Sequence, residues 1–163
     1  MVAVREAHDS HDTATARDLL VEYQRGLGVD LCFQGFDDEL AALPGRYARP
    51  SGRLLLAKEG DRVLGVAALR ALDGADCEMK RLYVRPAGRG LGVGRLLAAT
   101  LIDEARLAGY RRMLLDTLPS MVQAQALYRS MGFREIAPYC ENPISGTLYM
   151  ALDLLSHRPE RRE

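Results

Sequence analysis

The chain predicts a mixed α/β fold, a sheet covered by helices on both faces. Three observations carry that reading. Short apolar runs bounded by turn residues recur as strands, and four segments read as helices, two of them with apolar residues three or four apart. Their order is strand, two helices, three strands, helix, strand, helix, two strands. A strand-like run from Met79 to Val84 also passes through Pro86 and a glycine-rich turn straight into a helix.

Taken in order, Val2 to Ala7 alternates apolar and charged residues and reads as the first strand. A helix follows from about Thr13, with Ala16, Leu19, Leu20 and Tyr23 as its stripe and Gly26 and Gly28 at its end. Val29 to Phe36 is an apolar loop, and Asp37 and Asp38 open a short helix to about Leu43, stopped by Pro44-Gly45. Arg53 to Lys58 and Arg62 to Leu69 form a hairpin around Glu59-Gly60-Asp61. Asp73-Gly74 turns the chain into the strand from Asp76 to Arg85. The long helix shows Leu97, Leu101, Ile102 and Ala105 on one face and ends at Gly109, a natural left-handed cap. Arg111 to Asp116 is a buried strand, and Ser120 is placed to cap a helix from Met121 to Met131. Phe133 to Ala137 is a short strand, Pro138 to Gly146 a loop, and Thr147 to Leu154 the last strand. Residues 1–155 read as one domain, and the polar stretch 156–163 as a disordered tail.

Composition narrows the class. A chain of 163 residues suits one domain with a core of its own. Lys+Arg and Asp+Glu both number 22, so no basic excess points to nucleic acid. No apolar run approaches the roughly 20 residues of a membrane span, and the first residues lack the apolar core of a signal peptide. Cys32, Cys77 and Cys140 are far apart and show no metal spacing, which fits reduced thiols in a cytoplasm. His8, His11 and His157 lie near the ends, and no metal site is expected.

The glycine turn is where chemistry enters. A helix start leaves N–H groups without internal partners and carries about half a positive charge from its aligned peptides. Gly88, Gly90, Gly92 and Gly94 let the backbone approach a ligand, and Arg89 and Arg95 add charge. The result is an anion site suited to phosphate. Neither the phosphate-loop pattern nor the dinucleotide pattern fits, because Val93 and Arg95 stand where those patterns need glycine. What is present is Arg89-x-x-Gly92-x-Gly94, preceded by Leu82-Tyr83-Val84-Arg85-Pro86.

This pattern resembles the pyrophosphate-binding signature of the GNAT family of N-acetyltransferases. A second segment, Ala124-Gln125-Ala126-Leu127-Tyr128-Arg129-Ser130-Met131-Gly132-Phe133, is similar to the family's AxxLYxxxGF stretch. The element order also matches, so the resemblance spans about residues 2 to 154. It implies the GNAT acyl-CoA N-acyltransferase fold, with a mixed, mostly antiparallel central sheet. It further implies transfer of an acetyl group from acetyl-CoA, as co-substrate, directly to a primary amine of a small molecule or peptide in a ternary complex. A catalytically silent coenzyme A-binding sensor is the alternative, and a nucleotide or sugar-phosphate binder a third reading. The resemblance carries no nucleic-acid or membrane partner, and homodimers are common in the family.

Site residues follow from the same resemblance. Leu82, Tyr83, Val84, Arg89, Gly90, Leu91, Gly92, Val93, Gly94 and Arg95 are the expected cofactor contacts. Main-chain N–H groups around Leu82 to Val84 would also stabilise the oxyanion. Tyr128 matches a tyrosine that protonates the departing thiolate, or else it packs helix to sheet. Many relatives carry an asparagine where Met121 stands, so Gln123 or Gln125 would have to substitute. An ammonium with a pKa of roughly 10.4 must lose a proton before it attacks. Glu78 is the expected base, or else an ion-pair partner of Lys80, Arg70 or Arg81. Glu39, Asp116 and a water chain are the other candidates. The acceptor pocket is expected from Phe33, Gln34, Phe36, Tyr139, Asn142 and Tyr149, with Arg70, Lys80 and Arg81 as cations for a carboxylate or phosphate.

Overall fold

The computed structural model describes residues 1–28 and 35–155. Within them the chain runs β1 (Ala3–Glu6), α1 (Ser10–Leu27), α2 (Phe36–Ala42), β2 (Arg53–Glu59), β3 (Arg62–Ala71) and β4 (Asp76–Val84). It continues through α3 (Val93–Leu107), β5 (Arg112–Thr117), α4 (Val122–Ser130), β6 (Arg134–Ile136) and β7 (Leu148–Asp153). Every expected element is present, with shifted ends. α1 starts three residues earlier than its apolar stripe suggested, because Asp9 caps it by accepting from the Asp12 amide at 2.8 Å. It runs through Gly26 and stops at Gly28, whose φ of 65° takes the left-handed conformation. Ser120 does not cap α4. That helix starts at Val122 with Met121 in the cap position and no side-chain cap bond.

The seven strands lie in the order β1-β2-β3-β4-β5-β7-β6. All neighbours are antiparallel except β4 and β5, which the α3 crossover makes parallel. The runs Leu54-Leu55-Leu56 and Val66 to Leu69 are continuously apolar because both faces of the sheet are covered. Leu55, Ala57, Leu64, Ala67 and Leu69 pack with Leu97, Leu101 and Ala105 of α3. Leu54, Leu56, Val66 and Ala68 pack on the other face with Ala16, Leu19 and Leu20 of α1 and Phe36 of α2. Among the described residues no helix is long and apolar enough to cross a membrane.

Two irregularities open the middle of the sheet. The β4–β5 ladder runs through Asp76–Arg112, Cys77–Met113 and Glu78–Leu114 and then stops, although both strands continue. β5 keeps its pairing with β7 up to Thr117–Leu148, so the two parallel strands part. Within β4, Val66 faces Tyr83 while Ala68 faces Lys80, which leaves two residues opposite one: a β-bulge. Arg81 sits in it with φ of 61°, a conformation that costs a non-glycine residue about 1–2 kcal/mol. The bulge resets the alternation of the strand. Met79, Leu82 and Val84 meet the α3 side, while Arg81 and Tyr83 meet α1 and α2.

Candidate functional site

A cleft of about 740 Å³ follows the open edge of β4 to the start of α3. Leu82, Tyr83, Val84, Arg89, Gly90, Gly92, Val93, Gly94 and Arg95 line it, which brings together all but one of the expected cofactor contacts. Leu91 is the exception. It is 54% exposed and points away from the cleft, because the turn needs it only as a spacer between Gly90 and Gly92. Gly90 and Gly92 have φ of 79° and 74°, and a Cβ on either would meet no atom within 4 Å. The backbone there is both left-handed and bare. The first bond of α3 runs from the Leu96 amide to the Gly92 carbonyl, so the amides of Val93, Gly94 and Arg95 lack intrahelical partners. These residues fit a diphosphate: unpartnered N–H groups, a helix start, open space and two exposed arginines.

The opposite wall of the cleft comes from Ser120, Met121, Val122, Gln123, Ala124 and Leu127 of α4 and its approach. Gln125 cannot replace the missing asparagine, since its side-chain amide donates to the Leu118 carbonyl at 2.9 Å. Gln123 is exposed at the cleft wall and can.

Inward, the cleft continues between the parted strands. Its inner part shares Tyr23, Leu27, Leu82, Met121 and Ala124 with the outer part, and adds Lys80, Arg81, Asp116, Tyr128 and Asn142. From Met79 onward β4 has no sheet partner on its β5 side, so its peptide groups on that edge are open to a ligand. Tyr128 is buried, with its ring 5.7 Å from that of Phe133. Its hydroxyl makes no hydrogen bond among the described residues. Burial pushes its phenol above the ordinary range, with smaller contributions from Tyr23 and Asp116.

Glu78 differs from what the base role needs. It is 1% exposed, and both oxygens are held. Arg70 Nε donates to one at 2.7 Å and the Tyr139 hydroxyl to the other at 2.6 Å, with Lys80 Nζ at 3.9 Å. It does not line the inner cleft. Burial lowers the Lys80 ammonium pKa, and the charge of Glu78 opposes that shift. Arg81, expected as a cation for substrate, is held by Glu39 through two bonds of 2.9 and 3.1 Å and lies over the Phe36 ring at 5.0 Å.

The acceptor residues divide. Asn142 lines the inner cleft and donates to Asp116 Oδ2 at 3.3 Å. Phe36 does not line it; the ring is fully buried beneath Arg81, because the first residue of α2 faces the sheet. Tyr149 lies opposite Asp116 on β7 and meets Tyr139 edge to face at 5.6 Å, so it backs the loop and does not face the cleft. Phe33 and Gln34 lie outside the described residues. Tyr23 was not anticipated as a site residue. It belongs to the α1 apolar stripe, and only its position over Tyr83, 6.0 Å between rings, marks it as a wall of both parts of the cleft.

Residues 16–133 match the model of the Acetyltransferase (GNAT) family. An uncharacterized N-acetyltransferase of Schizosaccharomyces pombe is 44% identical over 138 residues, 83% of this chain and 85% of its own. A GNAT-family acetyltransferase structure from Staphylococcus aureus superposes with a TM-score of 0.78 at 20% identity, covering 94% of this chain and 99% of that one. A structure from Salmonella typhimurium, solved with acetyl-CoA as its cofactor, has a TM-score of 0.70 at 25% identity and covers 97% of this chain and 96% of that one. The chain belongs to the acetyltransferase (GNAT) family and is an acetyl-CoA-dependent acetyltransferase.

Proposed function

We propose that the chain transfers acetyl from acetyl-CoA directly to a primary amine of a small molecule or peptide in a ternary complex. The observation that carries this is one continuous cleft, from the bare amides at Gly90 to Arg95, along the open edge of β4, to Tyr128. The diphosphate of the donor docks on the α3 start, held by the amides of Val93, Gly94 and Arg95 and by Arg89. The pantetheine arm lies along Leu82 to Val84 as an added strand. A β4 amide near Leu82 receives the carbonyl oxygen.

Tyr128 attends the leaving sulfur. A thiol has a pKa of roughly 8.5 and a tyrosine about 10, and burial raises the tyrosine further. Its hydroxyl therefore stays protonated and acts as a hydrogen-bond donor to the developing thiolate. Glu78, with both oxygens occupied, holds Tyr139 and Arg70 along the acceptor side.

The test is thiol release from acetyl-CoA against a panel of primary amines and peptides, with mass spectrometry for the acetylated product. Acetyl-CoA binding without acetyl transfer would favour the silent sensor. Transfer through an acetylated enzyme would exclude the ternary complex.

A further inference from the structure

Part of the wall of the outer cleft belongs to α1 and part to β4, and an ion pair joins the two. Tyr23, Gly26 and Leu27 come from the last turns of α1, and Leu82, Tyr83 and Val84 from β4. Glu22, one residue before Tyr23, accepts three bonds from the Arg85 guanidinium, at 3.1 and 3.0 Å from Nε and 2.6 Å from Nη2. The Tyr83 hydroxyl donates to the same carboxylate at 3.4 Å. Arg85 is itself seated on β3. Its amide donates to the Leu64 carbonyl at 2.8 Å, and its Nη1 to the Val63 carbonyl at 3.1 Å. It also leads out of β4 into Pro86 and the glycine turn.

Both charged side chains are half-buried, and neither lines the cleft. A pair this exposed contributes little to overall stability. Its place in the fold gives it a different use. The fully buried contacts of α1 with the sheet, Ala16, Leu19 and Leu20, come earlier in the helix than the cleft wall. Tyr23 and Leu27 are only partly buried. The end of α1 therefore leans on Glu22 for its position over β4. A wall that is ordered beforehand spares a flexible ligand part of the ordering cost of binding.

We propose that Glu22 and Arg85 are a positioning pair for the arm of the donor. By fixing the end of α1 over β4 they set the width of the cleft where pantetheine lies. The diphosphate site at the start of α3 is left to the glycine turn. This rests on the reading that places the arm along Leu82 to Val84. The pair acts through Tyr23, Leu27 and Tyr83 and takes no part in bond making.

ADP and dephospho-coenzyme A separate the two regions, since they differ only in the pantetheine arm. The experiment is calorimetry with both ligands on wild type, Glu22→Gln, Arg85→Gln and the double variant. The expected result is a loss of at least about fivefold in dephospho-coenzyme A affinity in each single variant, with little further loss in the double variant. ADP affinity should stay within about twofold of wild type, and the melting temperature close to it. Unchanged affinity for both ligands, an equal loss for both, or losses that add in the double variant would overturn the proposal alone. Wild-type protein that binds dephospho-coenzyme A no more tightly than ADP would overturn the placement of the arm along β4 and this proposal with it.

Discussion

Tyr128 and Gly92 are the residues on which sequence and structure meet most directly. The Tyr128 hydroxyl is unbonded among the described residues and its ring is fixed against Phe133. Removing the oxygen changes little besides the proposed contact to the leaving sulfur. Tyr128→Phe is expected to lower kcat by about 10²-fold while acetyl-CoA affinity by calorimetry stays at the wild-type value. Unchanged turnover would make Tyr128 a packing residue. At Gly92 the space is open but φ is 74°, so a β-branched residue must either adopt a disfavoured conformation or turn the amides away. Gly92→Val is expected to weaken acetyl-CoA binding by at least about tenfold, matching the ~1–2 kcal/mol of such strain. Both residues were legible beforehand, because a glycine spacing and an LY-x-x-x-GF segment are local features. Asp116 was legible only as a carboxylate at a strand end, since its bond from Asn142 joins residues 26 apart in the chain.

At the scale of elements, α2 is held to β4 by one buried pair. Arg81 is 3% exposed at its side chain, receives two carboxylate contacts from Glu39 and covers Phe36. Removing Glu39 takes away the carboxylate that balances a buried guanidinium. Glu39→Ala is therefore expected to cost about 3–5 kcal/mol, measured by urea unfolding, and a loss below about 1 kcal/mol would mean that Arg81 reaches water. The helices and strands themselves could be read from periodicity. The bulge at Arg81 could not, because an alternating strand with one extra residue looks continuous until its partner is known. This is why Lys80 and Arg81 seemed equivalent cations in the sequence, whereas one lies against Glu78 and the other against Glu39.

For the whole molecule, the edge strand β1 is tied to its neighbours by carboxylates. The Glu6 carboxyl is held below its ordinary range, first by the hydrogen bond from Arg49. Burial pushes Asp12 up, but bonds from Arg5 and the His8 amide, with the charges of Arg5 and Lys58, more than reverse this. Both folded pKa values lie below the unfolded ones. Their stabilisation is present above about pH 4 and is lost as pH falls through the depressed values. Melting temperature is expected to drop over that interval, and Glu6→Gln should flatten part of the drop. An identical acid profile in that variant would assign the acid sensitivity elsewhere.

What the sequence determined by itself was the set of elements, their order, the glycine-rich turn and the family, because each is encoded in residues close together in the chain. Tertiary structure alone decided which side chains meet in the gap between β4 and β5. The ladder stops after Glu78–Leu114, and that gap brings together Tyr23, Lys80, Asp116, Tyr128 and Asn142 from four elements and a loop. Charge pairing in that gap depends on distances between residues far apart in sequence, and no local pattern records which carboxylate meets which cation.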